Sequence, residues 1–342
     1  MIGRGSKRIP KEVIPATGWR RIVTVVAGTL LLTAIINFAS AWYLFGNTSN
    51  IGYLLLRAKW NLLRNLTHPV DLPILGDSGG NQGVDPSILK DKLGFSAVNL
   101  CSIGDALILN DAWMLGEYIS RFGAPRAVLV IHSYDIWSRD KNISVLAQVP
   151  GRWWQWTPSA NLTLKERVKI MLCRYTPLYA ENRTLAELLQ HPWTAFPSAL
   201  KLNPDGFMPE STATPARVVS DAAAHKAFVR ENGPVMSDDN RRALEWMAQT
   251  ARNSNCDLFV ANGPLYDSLY ADSAFQVYFA RLRTAIADIA AGNDHFHYIL
   301  STPMLFPKEK MQSADHLAIA AAREYTTRLA EVIDSVLSTE EP

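Results

Sequence analysis

A long uncharged apolar run near the N-terminus limits how this chain can fold and where it can reside. Residues 22–45 contain no charged side chain. As an α-helix they would rise about 36 Å, enough to cross a hydrocarbon core of roughly 30 Å with some tilt. Trp42 and Tyr43 stand near one end of the run, where amphipathic rings favour the membrane interface. The sequence therefore predicts a single transmembrane helix over residues 22–45.

The residues before this run predict its orientation. Residues 1–21 form a basic tail with a net charge of +5, and such a tail favours the cytoplasmic side of a membrane. We therefore expect the main body on the opposite side. A cleaved signal peptide is the alternative, but the run is longer than the roughly 7–15 apolar residues of a signal peptide, and no small-residue cleavage site is evident.

Residues 46–70 connect the run to the body and add a net charge of +3. Within them, residues 51–66 mix Leu and Trp with Arg and Lys at irregular helical spacing. This pattern is typical of a basic amphipathic helix near lipid headgroups, or of the first helix of the body. Of the two, we expect a juxtamembrane amphipathic helix.

Charge and cysteine usage argue against two classes of partner. The overall charge of +2 leaves −6 for residues 71–342, whereas nucleic acids are bound by clustered Lys and Arg. The three cysteines, Cys101, Cys173 and Cys256, are scattered without the spacing of a zinc site. We therefore expect neither a nucleic-acid partner nor a structural metal.

The body, residues 71–338, alternates short apolar runs with helical patterns. The apolar runs suit buried parallel strands, and they lie at residues 72–75, 97–100, 127–131, 258–261 and 298–300. The helical patterns lie at residues 105–122, 238–252, after a candidate cap at Ser237, and about 317–337. This alternation predicts an α/β fold with three layers, in which helices cover both faces of a parallel sheet.

Residues 139–235 interrupt this alternation. They contain several prolines and the tryptophans Trp153, Trp154, Trp156 and Trp193. We interpret this stretch as an insertion that covers the ligand edge of the sheet or binds a partner. The tryptophans indicate core packing more than a carbohydrate platform.

Two short motifs, one at each end of the body, carry the candidate chemistry. Ser78 follows the first predicted strand in the sequence GDSGG, and open α/β sheets bind ligands beyond the carboxyl ends of their strands. Asp315 and His316 precede the last predicted helix. A serine becomes nucleophilic when a nearby base accepts its proton, and a carboxylate orients a histidine base. We predict Ser78 as nucleophile, His316 as general base and Asp315 as orienting carboxylate.

Together these motifs resemble those of the SGNH (GDSL-like) hydrolase superfamily, over about residues 71–336. More narrowly, the anchor, the segment GDSGGNQGVDP and the sequence DHL before the closing helix resemble membrane-anchored bacterial proteins of the DltD-like and alginate O-acetylation type. The resemblance implies a flavodoxin-like sheet and serine acyl transfer without a cofactor. It also implies a single-pass location in a bacterial cytoplasmic membrane, with a periplasmic or extracytoplasmic body.

The resemblance further implies an oxyanion hole, which stabilises charge that develops in the transition state. The superfamily uses the nucleophile's backbone N–H, a glycine after the second strand and an asparagine after the third. Here these correspond to Ser78 and Gly104, but Tyr134 stands at the asparagine position. Asn81, Ser133 or the insertion would then supply the third donor.

The terminal motif also departs from the superfamily pattern Asp-x-x-His. Ser313 stands at the position of the acid, and Asp315 immediately precedes His316. Asp315 is therefore the expected orienting carboxylate, and Asp135 is a candidate substitute.

These expectations lead to two functions from different classes. The first is a membrane-anchored acyl transferase or esterase that modifies a cell-envelope or secreted polysaccharide through an acyl-enzyme on Ser78. The second is a non-catalytic subunit of the same fold that binds a glycan or a partner in a polysaccharide synthesis or secretion complex. A multispan acyltransferase or a polysaccharide synthase is the partner that the resemblance implies.

Overall fold

The computed structural model describes residues 16–44, 48, 50–191, 200–210 and 212–340. Most of the basic tail and Trp193 lie outside these residues. The strands are β1 (Leu72–Gly76), β2 (Ala97–Asn99), β3 (Ala127–His132), β4 (Asp257–Asn262), β5 (Leu265–Tyr266), β6 (Phe296–Tyr298), β7 (Leu305–Phe306), β8 (Met311–Ser313) and β9 (His316–Leu317).

One five-stranded sheet organises the body. Its order is β2-β1-β3-β4-β6, and every neighbouring pair is parallel. The short strands β5 and β7 form a separate parallel pair, and β8 and β9 form an antiparallel pair. The predicted α/β fold with a parallel sheet is confirmed.

Both faces of the sheet are buried, which explains why the strand sequences are apolar throughout. Along β3, Val128 and Val130 belong to one hydrophobic cluster, whereas Leu129 and Ile131 belong to another. Alternate residues of a strand point to opposite faces, so a strand covered on both faces needs apolar residues at every position.

The last strand of this sheet lies two residues earlier than predicted. Strand β6 ends at Tyr298, and residues 299 and 300 lie outside any strand. The Ile299 N–H still donates to the Val260 carbonyl of β4 at 2.9 Å, and also to the His297 carbonyl at 3.1 Å. Leu300 takes a positive φ of 43°, which ends the extended conformation.

Helices flank the sheet. They are α1 (Ala16–Leu44), α2 (Ile51–Asn65), α3 (Ser78–Gly83), α4 (Pro86–Leu93), α5 (Leu107–Phe122), α6 (Ile143–Leu146), α7 (Leu164–Tyr175), α8 (Pro177–Ala180), α9 (Asn182–Gln190), α10 (Pro215–Glu231), α11 (Asp238–Ser254), α12 (Asp267–Tyr270), α13 (Ser273–Ala290) and α14 (Ile319–Glu340).

Local signals account for the ends of the predicted helices. The Ser237 hydroxyl caps α11 by accepting the Asn240 N–H, as its sequence position predicts. Helix α5 begins at Leu107 rather than at residue 105 because a 3₁₀ turn occupies Gly104–Ala106. Helix α14 begins at Ile319 because His316–Leu317 pair as strand β9.

Helix α1 has the properties expected of a membrane span. The most apolar stretch of its segment Gly18–Leu44 has a mean hydropathy of 2.2, and none of that stretch is packed inside the protein. One polar side chain within it contacts the body: Asn37 donates to the Tyr175 carbonyl at 2.9 Å and accepts from the Leu178 N–H at 3.5 Å. The prediction of a helix long and apolar enough to cross a membrane is confirmed.

Helix α2 packs into the body. Leu56, Trp60 and Leu63 are fully buried in the main hydrophobic cluster. The buried Lys59 ammonium donates to the carbonyls of Asn99, which ends β2, and Gly206, at 2.9 and 2.5 Å. Its apolar side therefore faces protein, which corrects the expectation of a separate headgroup-facing helix and matches the alternative, the first helix of the body.

The insertion, residues 139–235, contains helices α6 to α10 and contributes no strand within its described residues. Trp156 packs between Trp60 and Trp113, with ring centroids 4.7 and 5.0 Å apart, as expected for core packing. The Met208 N–H donates to the Asn81 carbonyl, and α10 packs against β8. Part of the insertion therefore lies against the elements that carry the candidate site.

Candidate active site

Ser78 lies at the point where the strand order of the sheet reverses. From β1 the chain moves outward to β2 and then returns to β3 on the other side of β1. Ligands of open α/β sheets bind at this switch point, beyond the carboxyl ends of the two inner strands. Ser78 lies two residues after the end of β1, and Ser133 follows β3 directly. The sheet therefore places the GDSGG motif where its topology favours a ligand.

A close approach between β1 and β3 requires the glycine before this motif. Gly76 has a φ of 141°, and a β-carbon there would lie 1.9 Å from the Ile131 carbonyl oxygen. Only glycine tolerates this conformation and this contact. The next residue, Asp77, can then cap helix α3, whose first residue is Ser78.

Asp77 joins the ends of the two inner strands. One carboxylate oxygen accepts the Gly79 N–H at 2.8 Å, and the other accepts the Ser133 N–H at 2.6 Å. Burial alone would raise the pKa of Asp77, but His132 and these backbone donors outweigh it and lower the pKa. Asp77 therefore fixes the backbone of Gly79, the residue after Ser78, and the backbone of Ser133, the residue after β3.

His132 supports Asp77 from inside the protein. Its Nε2 lies 2.5 Å from an Asp111 carboxylate oxygen, and its Nδ1 lies 3.6 Å from Asp77. Burial opposes a charged imidazole, but the two carboxylates outweigh burial and raise the pKa of His132 to about 9. A positive charge at His132 thus compensates two buried acids.

His316 and Asp315 meet through a tight turn between β8 and β9. The His316 Nδ1 lies 2.5 Å from an Asp315 carboxylate oxygen and 2.6 Å from the Ser313 hydroxyl. The Ser313 hydroxyl also donates to Asp315 at 2.9 Å. The adjacent acid therefore reaches the ring, and Ser313 supports both residues from the position where the superfamily has its acid. This geometry leaves Nε2 of His316 for a substrate or a nucleophile.

The turn that carries His316 lies against the helix that Ser78 begins. Helix α3 packs on β9, and a β-carbon on Gly79 would lie 3.3 Å from the Asp315 carbonyl oxygen. The Ser133 hydroxyl donates to Asp315 at 3.1 Å. The two motifs are thus brought to adjacent segments. In the described part of the chain, no hydrogen bond joins Ser78 to His316.

Electrostatics favour a charged pair at Asp315 and His316. Burial would raise the pKa of Asp315, but the charge and hydrogen bond of His316 hold it far below its usual range. Burial would lower the pKa of His316, but the Asp315 charge and hydrogen bond raise it. The imidazole is consequently more basic than a free histidine side chain.

The candidate oxyanion donors have different surroundings. The Ser78 N–H begins a helix and has no partner within it. The buried Asn81 amide nitrogen contacts the Met208 sulfur at 3.6 Å, and the Asn81 amide oxygen has no partner among the described residues. Gly104 packs closely on Ile136, whose Cδ1 would lie 2.3 Å from a β-carbon at residue 104.

Tyr134 and Asp135 are both engaged elsewhere. The buried Tyr134 hydroxyl lies 2.7 Å from Nδ1 of His225, and burial raises the pKa of Tyr134. Asp135 forms an ion pair with Arg139. Because Asp315 occupies Nδ1 of His316, the structure does not assign the role of substitute carboxylate to Asp135.

A second histidine and acid lie behind Asp315. Asp221, His225 and Asp315 place ligand atoms within 4.8 Å of one another, close enough to hold a metal ion. Each already has a protein partner: Asp221 accepts the Ala314 N–H at 2.9 Å, His225 contacts Tyr134, and Asp315 contacts His316. The charge of His225 also lowers the pKa of Asp315, so this cluster supports Asp315 electrostatically.

Several of these supporting residues were missed as site residues in the sequence. Asp111 and Asp221 lie on helices far from either motif, so that only tertiary packing reveals them. His132 had a usable signal, since it ends β3 beside the switch point, and Ser133, which follows it, was predicted only as a possible oxyanion donor.

No protein-family model matches this chain, and no curated protein matches it. Its function is therefore inferred from the geometry above and from the resemblance of the two motifs.

Proposed function

We propose that this protein is a membrane-anchored serine acyltransferase or esterase of the SGNH type. One observation carries the proposal: His316, paired with Asp315, begins a strand that packs against the short helix begun by Ser78, at the switch point of a parallel sheet. The two core clusters, which take alternate strand residues, support a three-layer arrangement.

The residues have complementary roles in this chemistry. As the Ser78 oxygen bonds to the carbonyl carbon of an acyl donor, His316 Nε2 takes the serine proton and then gives it to the departing alcohol. Asp315 holds the ring through Nδ1 and stabilises the imidazolium. An acceptor hydroxyl then loses its proton to His316 and takes the acyl group from Ser78, whose oxygen departs and receives that proton from His316. Water as the acceptor gives hydrolysis.

The anchor and the motifs support the proposed location and substrate. The apolar, unburied helix α1 supports insertion in a membrane, and the basic tail before it supports a cytoplasmic N-terminus. The extracytoplasmic body would then reach envelope or secreted polymers. The polysaccharide acceptor, and a multispan partner that supplies the acyl group, follow from the resemblance.

Ester hydrolysis and labelling by a serine-specific reagent test whether Ser78 is the nucleophile. The detergent-solubilised full chain should release acetate from a model acetyl ester, and a fluorophosphonate should label Ser78 with loss of fluoride. In Ser78→Ala we expect the ester rate to fall by about 10²–10⁴-fold and labelling to disappear. Ser120→Ala, on the exposed side of α5, is the matched control. Equal rates in Ser78→Ala and the unsubstituted chain would exclude Ser78 as nucleophile.

The alternative is a non-catalytic subunit that binds a glycan or partner. The surroundings of Tyr134 favour it, because its hydroxyl is buried against His225 and the side chain offers no amide donor to an oxyanion. Well-folded protein that no fluorophosphonate labels, but that binds an envelope polysaccharide, would support this function.

A further inference from the structure

Helix α7, in the insertion, exposes an apolar face that the body does not cover. The exposed side chains of this face are Leu164, Val168, Met171, Leu172 and Tyr175. At 3.6 residues per turn they share an arc of about 100°. Leu164 is 79% exposed and Tyr175 is 62% exposed. Ile170 and Cys173 on the other side of the helix are buried.

Basic side chains border this face on both sides. Lys165 and Lys169 follow one edge, and Arg167 follows the other, all in exposed positions. Basic residues beside an exposed apolar stripe are typical of helices that lie in a membrane interface, since their stems cover apolar surface while their charges reach anionic headgroups. The pattern fits lipid, because charges of one sign border the face on both sides, where anionic headgroups would meet them.

A contact with α1 fixes where this face lies along the membrane span. Asn37 bonds to the Tyr175 carbonyl, at the end of α7, and to the Leu178 N–H. Asn37 precedes the end of α1 at Leu44 by seven residues, which is about 10 Å along the helix. Interfacial helices bury their apolar faces about 5–10 Å into the boundary between headgroups and acyl chains.

The same contact satisfies backbone groups that would otherwise lack partners at this depth. The final carbonyls of a helix and the first N–H groups of the next have no partners inside those helices. Tyr175 ends α7, and Leu178 lies in the first turn of α8. In a layer poor in water such groups need protein partners, and the Asn37 side chain provides one for each.

We infer that α7 lies on the membrane that α1 spans, with its exposed apolar face in the outer lipid boundary. This inference rests on the anchor in the proposed function and is independent of catalysis. The protein would then contact lipid at two places, along the span α1 and at the exposed apolar face of α7. The occupant of this face is anionic bilayer lipid.

Depth-dependent fluorescence quenching tests the inference on the full chain. Single labels at Val168→Cys on α7, Leu30→Cys on α1 and Val277→Cys on α13 are compared in vesicles of phosphatidylcholine and phosphatidylglycerol. Val277 is a matched control because it is 58% exposed and lies on another helix. The native cysteines are buried, so the unsubstituted chain gives the background label.

We expect lipid-borne quenchers to remove roughly half of the emission at residues 168 and 30 and little at residue 277. A quencher near the headgroups should act more strongly at residue 168, and one near the bilayer centre more strongly at residue 30. Quenching at residue 30 without quenching at residue 168 overturns the inference while the anchor stands. Shielding of residue 168 from both lipid quenchers and aqueous iodide identifies a protein contact and also overturns it. Absence of quenching at residue 30 refutes the anchor and, with it, the inference.

Discussion

His316 and His132 have similar charged partners but different access to solvent. Each ring lies 2.5 Å from a carboxylate oxygen, of Asp315 and Asp111 respectively, and each has a raised pKa. The His316 side chain is 18% exposed, whereas that of His132 is 1% exposed. A carboxylate partner alone therefore does not identify a catalytic base. Access to solvent distinguishes the two, so substitution of His316 should mainly lower the rate, whereas substitution of His132 should mainly lower the stability.

The largest expected effect is on the rate, at His316. In His316→Ala the serine loses its proton acceptor, so kcat/KM for a model acetyl ester should fall by about 10²–10⁴-fold. The thermal midpoint should fall less than in a His132 variant, because the His316 side chain is 18% exposed and water reaches this ion pair more readily. His295→Ala is the control, since His295 lies 3.4 Å from Asp257, away from both motifs. Wild-type turnover in purified His316→Ala would remove His316 from the mechanism.

The next effect is on stability, at His132. Removing one partner of a buried ion pair costs about 3–5 kcal/mol, since the remaining charges are uncompensated. Because its pKa rises to about 9 in the folded state, His132 contributes stability that is complete below about pH 6.5 and is lost as pH rises to about 9. The free-energy difference between the wild type and His132→Gln should therefore shrink over that interval.

Denaturant titrations at several pH values measure this difference, and the comparison cancels contributions from other groups. His295→Gln is the matched control, because the His295 side chain is 30% exposed and lies 3.4 Å from Asp257, so that its loss should cost less than about 1 kcal/mol. A pH-independent difference for His132→Gln would show that His132 is uncharged in the folded protein.

The smallest expected effect is at Asp315, and it is best measured as a pH profile. His316 must be unprotonated to act as a base, so kcat/KM should rise with pH through a midpoint above 6.5, because Asp315 raises the pKa of His316. In Asp315→Asn this midpoint should move to lower pH, and the plateau rate should fall by at least about tenfold. Asp257→Asn should leave both unchanged. An unmoved midpoint in Asp315→Asn would mean that another group controls the titration.

The sequence predicted those features that depend on local pattern. The apolar runs that form the sheet, the cap at Ser237 and the apolar span each follow from neighbouring residues. The order of the strands then places the carboxyl end of β1 beside that of β3, which a sequence alone does not reveal. The pairing of Asp315 with its own neighbour likewise depends on the β8–β9 turn.

Helices α2 and α7 show a further limit of sequence reasoning. Both mix apolar and basic residues, and the sequence suggested a membrane-surface helix at residues 51–66. In the structure α2 buries its apolar side, whereas α7 exposes its own. Periodicity identifies an apolar face, but only the packing of other elements shows what covers it.

Lys59 has a consequence for the protons that folding exchanges with solvent. Burial lowers the pKa of its ammonium group to about 7, against about 10.4 for a free lysine. Between these values the unfolded chain holds this proton and the folded chain does not. Folding in mildly alkaline solution therefore expels a proton as α2 closes onto the carbonyls of Asn99 and Gly206. The neutral amine still has hydrogens to donate to these carbonyls. The contact of α2 with the body is therefore more stable in alkaline than in acidic solution.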